Sequence, residues 1–229
     1  MFKKLFFPLT LGIVGCSILV VLGTWQINRL EWKTNVLTEI ERKLSADPIE
    51  LPDTVEKSED QYRSIRMEGK FLEKELHVLT SIKFKGPGYR IIAPFLGNDG
   101  RVVMVDRGFV KESEKSKSRS LESTSIIANL LWPDEIDSFT PQPNLGLNIW
   151  FARELDKMAQ ELNSEPILLV LRETEVLKGP EPQPIGINIP NNHLGYAVTW
   201  FALAFVWFCM TVYLVWRVKQ KLNLEGRFS

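Results

Sequence analysis

The sequence contains two histidines, and the one at position 193 stands at the edge of a long apolar run. Imidazole is a common axial ligand of haem iron, so His193 is a candidate metal ligand. If the run after it is helical, one face of that helix carries further rings and a small residue. These positions are Tyr196, Trp200, Ala204 and Trp207. A histidine followed by aromatic rings, with a small residue between two of them, could hold a flat macrocycle.

The same side chains also fit a simpler interpretation. A histidine where a membrane helix begins can bond lipid headgroups or cap the helix, and tyrosine and tryptophan are enriched at the membrane surface. Trp207 lies deeper in the run, where helix–helix packing explains it. The residues by themselves leave the ligand and the interfacial interpretations open.

A second group of candidate residues follows the other apolar run of the chain. Arg29 and Lys33 are cations at the same membrane face as His193, and Trp25 shares a helical face with Arg29. An arginine can bind a carboxylate through two parallel hydrogen bonds, which would suit the propionates of a haem. Ordinary flanking cations of a membrane helix are the alternative.

Two uncharged runs of 23 residues, 5–27 and 194–216, must position these side chains. About 20 apolar residues are enough to cross a bilayer as a helix, so both runs are predicted to be transmembrane helices. The first run also resembles a signal peptide, with a lipoprotein-like site at Cys16. The residues after Cys16, "SILVVLG", remain apolar, which favours an uncleaved helix. The helix is expected to continue in water to about Asp47-Pro48.

Charge predicts the orientation of both helices. The tails 1–4 and 217–229 hold six of the 28 basic and one of the 28 acidic residues, so residues 28–193 carry a net charge of −5. Basic flanks stay in the cytoplasm, which places both tails there and exports the segment 28–193. A bacterial inner membrane with a periplasmic domain is favoured over the mitochondrial inner membrane.

The exported segment is predicted to be an α+β domain with an antiparallel sheet. Alternating or apolar stretches indicate strands at "QYRSIRMEGKFL", "ELHVLTSI", "YRIIAPFL", "RVVMVDRGFV", "TSIIANLLWP" and "PILLVLRET". Turns are expected at Gly86-Pro87-Gly88 and at "NDG", and an amphipathic helix over residues 148–162. "KESEKSKSRSLES" is expected to be an exposed loop, and the proline-rich residues 179–190 an extended arm that leads back to the membrane.

Several function classes lack the residues they need. Both cysteines lie in the apolar runs, so the exported domain has neither a disulfide nor a thiolate metal site. The sequence has no hydrolase elbow, P-loop, HExxH or dinucleotide motif, and catalysis is not expected. A basic surface and a nucleic-acid motif are also missing, which argues against nucleic-acid binding.

Three stretches together resemble one known family. They are "LGTWQINRLEWK", "VVMVDRGFV" and "NNHLGYAVTWFALA", and they occur in the family's order with its two-helix topology. The chain is therefore similar to the surfeit locus protein family, the membrane assembly factors of cytochrome c oxidase. In the central stretch Asp106 and Phe109 stand where the family more often has Asn and Trp, and the role of Arg107 stays open.

The resemblance implies a function and a cofactor. It implies that the chain binds haem a and aids its insertion into, or stabilisation in, the catalytic subunit of the oxidase, with the haem a synthesis enzyme as a second candidate partner. His193 is then the expected iron ligand, and the further cofactor-binding residues are expected to be Trp200, Tyr196, Arg29, Lys33 and Trp25. A haem-free scaffold for the nascent subunit is the alternative, and a membrane-bound enzyme is a third.

Overall fold

The computed structural model describes residues 2–174, 179–186 and 191–225. The chain divides into two compact units, one of Met1–Glu39 with Asn188–Ser229 and one of Ile40–Ile187. The helices are α1 (Phe2–Ser45), α2 (Lys57–Asp60), α3 (Leu155–Leu162) and α4 (His193–Glu225). The strands are β1 (Ile49–Glu50), β2 (Ser64–Phe71), β3 (Leu76–Ile82), β4 (Gly86–Gly97), β5 (Val102–Lys111), β6 (Ser123–Leu130) and β7 (Leu168–Thr174).

The first unit is formed by α1 and α4, the two apolar helices at the ends of the chain. Their segments Leu5–Ser45 and His193–Lys221 are long and apolar enough to cross a membrane, by length and composition. Both helices expose large apolar side chains over most of their surface, as a helix facing lipid would. The predicted continuation of the first helix past its apolar run is confirmed, since α1 ends at Ser45, just before Asp47-Pro48.

The second unit is a small β-barrel. Its seven strands have the order β1-β2-β6-β7-β5-β4-β3, and a further pairing of β2 with β4 closes five of them into a ring. The predicted antiparallel sheet is wrong in this respect, because β1 pairs with β2 in parallel and β5 pairs with β7 in parallel. A parallel pair needs a crossover connection, and residues 112–167, which contain β6 and α3, supply it between β5 and β7.

The two larger of three apolar clusters contain most of the buried side chains of the barrel. The larger one fills the interior with side chains such as Ile65, Phe95 and Leu169, all completely buried. The second lies on the outside of the sheet, where Met158 and Leu162 of α3 pack with Trp150. These buried side chains come from every strand of the closed ring and from the crossover, so the core depends on the whole unit.

The predicted helix over residues 148–162 is only partly correct, because α3 is limited to Leu155–Leu162. Asn148 has a positive φ of 50°, and the backbone N–H of Trp150 donates to the carbonyl of His77 at 2.8 Å. Residues 148–150 therefore lie against the edge of β3, and the helix begins only after them, at Leu155.

Of the two predicted turns, one is confirmed. "NDG" connects β4 to β5 as predicted, with a φ of +86° at Gly100. Gly86-Pro87-Gly88 instead belongs to β4, and Pro87 lies opposite Ser81 of β3. The chain reverses at residues 83–85, where Phe84 has a positive φ of 68°.

Candidate functional site

The two long helices pack against each other in opposite directions along a stripe of small residues. An added Cβ at Gly12 would lie 2.1 Å from Thr211, at Gly15 2.5 Å from Trp207 and at Gly23 2.7 Å from Phe201. As the glycine number rises the partner number falls, which defines antiparallel packing. The three glycines of α1 thus let the two helices approach closely, and Trp207 has the helix–helix role that its depth indicated.

Two other small residues of α4 lie away from this contact. Gly195 has nothing within 4 Å of an added Cβ, and Ala202 is exposed. The alanines at the contact are Ala197 and Ala204, which are 1% and 5% exposed. They lie four and eleven residues after His193, and His193 is therefore on the same inward stripe of α4.

His193 makes a polar contact at the end of this apolar interface. Its Nδ1 lies 2.7 Å from Oε1 of Gln26, a residue of α1 that is 167 positions away in sequence. Both side chains are half-buried. Gln26 was not among the predicted site residues, although it lies fourteen residues after Gly12, in the same position of the heptad repeat along the inward stripe. The contact occupies one ring nitrogen and leaves Nε2 as the atom that can bind a metal.

The aromatic residues predicted to accompany His193 are not equally placed. Trp200 is half-buried, on the side of α4 that faces α1. Tyr196 is on the flank of the helix and is 58% exposed. Ala204, which was expected to leave room for a ring, is covered by α1, and its carbonyl lies 3.9 Å from the Cys16 Sγ. Trp200 is thus the aromatic residue best placed beside the His193 stripe.

The predicted cations of α1 differ in their surroundings. The guanidinium of exposed Arg29 lies over the ring of Trp32, 4.0 Å from its centroid. Lys33 is half-buried and lies seven residues after Gln26, on the same stripe. Trp25 is 55% exposed, on the outer side of α1. Arg29 and Lys33 follow Gln26 by about one and two turns, at the end of the apolar stretch.

The donor set around His193 fits a haem. The imidazole has Nδ1 engaged by Gln26, and Nε2 has no hydrogen-bond partner among the described residues. A histidine that binds a metal through one nitrogen usually bonds an oxygen through the other. Asn191 adds a buried Oδ1 that has no hydrogen-bond partner in the described part of the chain. Such an acceptor is costly unless a donor reaches it. A nitrogen ligand, an unsatisfied acceptor and two cations therefore occur at the same end of the helix pair.

Comparison with known proteins gives a family. The sequence model of the SURF1 family matches residues 13–205, which include most of α1, the whole barrel and the beginning of α4 up to residue 205. The chain belongs to the SURF1 family. Surfeit locus protein 1 of Homo sapiens is 29% identical over 216 residues, covering 82% of this chain and 72% of its own. The Gallus gallus protein of that name is 30% identical over 82% of this chain and 70% of its own. A SURF1-like protein of Caenorhabditis elegans is 28% identical, with 84% and 69% covered.

The SURF1 match includes Gln26, His193 and the central motif of β5, which the structure explains locally. Ile91 pairs with Gly108 and the next residue, Ile92, pairs with Asp106, so Arg107 is the extra residue of a β-bulge. Gly108 has a φ of +113°, and an added Cβ would lie 2.0 Å from the carbonyl oxygen of Glu181. The bulge and this close approach both require glycine at position 108.

Arg107 of this motif packs on an aromatic ring and donates a hydrogen bond to the backbone. Its guanidinium lies 3.9 Å from the centroid of the Phe71 ring and donates from Nη2 to the Ser120 carbonyl at 3.2 Å. Burial lowers its pKa to about 10, although Glu75 acts in the opposite direction. The guanidinium is still charged at neutral pH, so the bulge holds a buried cation on an aromatic face.

Asp106 of this motif is the shared partner of two arginines. It is completely buried and accepts from Arg90 Nε at 2.7 Å, from Arg153 Nη1 at 3.2 Å and from the Gly108 N–H at 3.1 Å. A carboxylate compensates two cations there, which an amide cannot.

The proline-rich arm is partly attached to this region of the barrel. Phe109 and Glu181 exchange two backbone hydrogen bonds, of 2.7 and 2.8 Å, and Arg90 Nη2 donates to the carbonyl of Gln183. Residues 187–190, including Pro190, lie outside the described residues. The charged loop after β5 is mostly exposed as predicted, but the Arg119 side chain is only 8% exposed and pairs with Glu75.

Proposed function

We propose that this protein is a non-catalytic assembly factor of cytochrome c oxidase. It binds haem a at the paired ends of α1 and α4 and transfers it to, or stabilises it in, the catalytic subunit. One observation carries the proposal: in a member of the SURF1 family, His193 lies at the helix interface with Nδ1 bonded and Nε2 available.

The residues have separate roles in this proposal. His193 Nε2 would bind the iron, and Trp200 would pack beside it on α4. Arg29 and Lys33 would hold the propionates, and Tyr196 and Trp25, both exposed on their helices, would add further contacts. Haem a supplies the iron centre that the oxidase needs, and the chain supplies a ligand, counter-charges and an apolar face. Burial of its apolar tail along the helices contributes about 0.8 kcal/mol per methylene.

The proposed location is the bacterial inner membrane, with the barrel in the periplasm. Reporter fusions near Ser116 should read as exported, and fusions after residue 229 should read as cytoplasmic. Ser116 lies in the loop between β5 and β6, where an insertion avoids the barrel core. The opposite reading at either position would contradict the orientation derived from the basic tails.

The test of haem binding compares the two histidines. His193→Ala protein, purified from a host that synthesises haem a, should show a changed absorption spectrum and weaker haem retention. Binding should not be abolished, because the burial of the tail does not depend on the ligand. His77→Ala is the control: His77 lies in the barrel, where its Nε2 bonds Glu75 at 2.8 Å, so its loss should leave the spectrum unchanged.

The outcome separates the proposal from a haem-free scaffold. Deletion of the gene should lower assembled oxidase while haem a synthesis continues. If deletion has this effect but the wild-type protein carries no haem a, the chain acts as a scaffold for the nascent subunit. Identical spectra and retention of the wild-type protein and both variants would make His193 an interfacial residue.

A further inference from the structure

Gln26 is the residue of α1 that faces His193, and its chemistry restricts the state of the imidazole. In a neutral imidazole one nitrogen carries the proton and the other carries the lone pair. The amide oxygen of Gln26 has no proton to give, and it lies 2.7 Å from His193 Nδ1. Nδ1 must therefore donate, which places the lone pair on Nε2.

We infer that Gln26 is a positioning residue that holds His193 as the Nδ1–H tautomer, with Nε2 ready to bind a metal. This inference rests on the proposed function for its purpose, since only a metal ligand needs one particular nitrogen free. Histidine ligands generally donate their other ring N–H to an oxygen, which fixes the tautomer and the orientation of the ring. The amide oxygen of Gln26 supplies that acceptor from the opposite helix.

A glutamine fits this position better than a charged acceptor would. Gln26 is half-buried at the end of an uncharged stretch of 23 residues. A neutral amide costs less to bury there than a carboxylate, and it adds no negative charge beside the imidazole. A glutamine can also turn its amide and present the NH₂ group, which would favour the wrong tautomer. The orientation of the Gln26 amide therefore decides which ring nitrogen of His193 carries the proton.

The chain offers a direct measurement, because it has two histidines. The full-length protein without haem, labelled with ¹⁵N-histidine in detergent micelles, gives two sets of ring signals. At about pH 8.5 a histidine ring is neutral, and the ¹⁵N shifts identify the protonated nitrogen. We expect the proton of His193 on Nδ1 in the wild-type protein. Gln26→Leu should move His193 towards the other tautomer and leave His77 unchanged.

Thr24→Leu is the matched control. Thr24 is an exposed residue of the same helix, and its Oγ1 bonds the Val20 carbonyl of its own turn. The same leucine at position 24 should change neither histidine. Protonation of wild-type His193 on Nε2 would overturn the inference, and this measurement needs no variant. An unchanged tautomer in well-folded Gln26→Leu would overturn it as well.

Haem retention separates this inference from the proposed function. Loss of a hydrogen-bond partner of a metal ligand typically lowers affinity about 10- to 100-fold, so Gln26→Leu should lose haem a faster than Thr24→Leu by about that factor. If Gln26→Leu changes the tautomer but not the retention, Gln26 has no positioning role. If wild-type protein with the expected tautomer binds no haem a, the proposed function fails while the assignment of the proton stands.

Discussion

The helix pair buries small residues at its contact, whereas the barrel buries large apolar side chains. The barrel places its apolar side chains inside and exposes charge, as in a protein dissolved in water. The helix pair exposes Phe, Leu, Val and Trp over most of its surface, and its contact stripe carries glycine and alanine. At the end of that stripe lie Gln26 and His193.

The difference shows which forces each region uses. Burial of apolar surface stabilises the barrel, and a charge inside it needs a partner, as Asp106 has in Arg90 and Arg153. Lipid is as apolar as leucine, so two membrane helices gain little from burying apolar side chains and associate through close backbone approach and interhelical hydrogen bonds. A single glycine or a single hydrogen bond therefore matters more in the helix pair than it would on the barrel surface.

The largest effect is expected from removal of the shared carboxylate in the barrel. Asp106→Ala leaves the guanidiniums of Arg90 and Arg153 without their common partner and should lower the free energy of unfolding by about 3–5 kcal/mol. This free energy is measured by denaturant unfolding of the full-length protein in detergent, with hydrogen exchange of the β5 amides as the readout. Asp134→Ala, at an exposed position, should stay within about 0.5 kcal/mol. Equal stability of the two variants would show that the barrel tolerates unpaired buried charge.

A smaller effect is expected in the helix pair. Gly15→Leu would press a side chain into the Trp207 ring, and overpacking of this kind typically costs about 1–3 kcal/mol. With Cys209 replaced by serine and Ala204 by cysteine, the oxidative cross-link to Cys16 reports whether the helices are paired. The yield should fall for Gly15→Leu. It should stay unchanged for Gly195→Leu, because position 195 faces open space. Equal yields would contradict the glycine-dependent packing.

The smallest effect is expected from a fall in pH, which should lower the stability of the barrel and leave the pairing of the two helices unchanged. Burial would raise the pKa of Glu135, but the hydrogen bond and charge of Arg153 outweigh it and lower the pKa below its ordinary 4.5. Its ion pair thus stabilises fully above about pH 4.5, and this contribution is lost as the pH falls through the lowered pKa. Glu135 is partly exposed, so solvent weakens the effect.

The check is the loss of barrel stability between pH 5 and pH 3. In Glu135→Gln protein this loss should be smaller than in the wild-type protein, because the variant has no carboxylate to protonate there. The Cys16 cross-link yield should be the same for both proteins over this range. Parallel stability curves for wild type and variant would rule out a contribution of this ion pair.

Length and composition predicted the two helices well, because 23 uncharged residues have few alternatives. Six of the seven strands, β2 to β7, were found from their alternating or apolar stretches, and the two-residue β1 was not. The pairing of the strands was not found, since the parallel contact of β5 with β7 joins distant segments. Gln26 was missed because a polar residue at the end of an apolar run has no local signal, and only the opposite helix gives it a partner. The bulge at Arg107 was missed for the same reason, as it is visible only against β4.

The distance in sequence between Gln26 and His193 has a consequence during synthesis. The two side chains are 167 residues apart, and chains grow at about 5–20 residues per second, so α1 waits roughly 8–33 s before its partner exists. In that interval the glycine stripe of α1 is uncovered and the Gln26 amide has no imidazole to bind. Each newly made molecule therefore passes through a period in which α1 has no partner helix. During that period its glycine stripe can pair with any other membrane segment that has a matching groove.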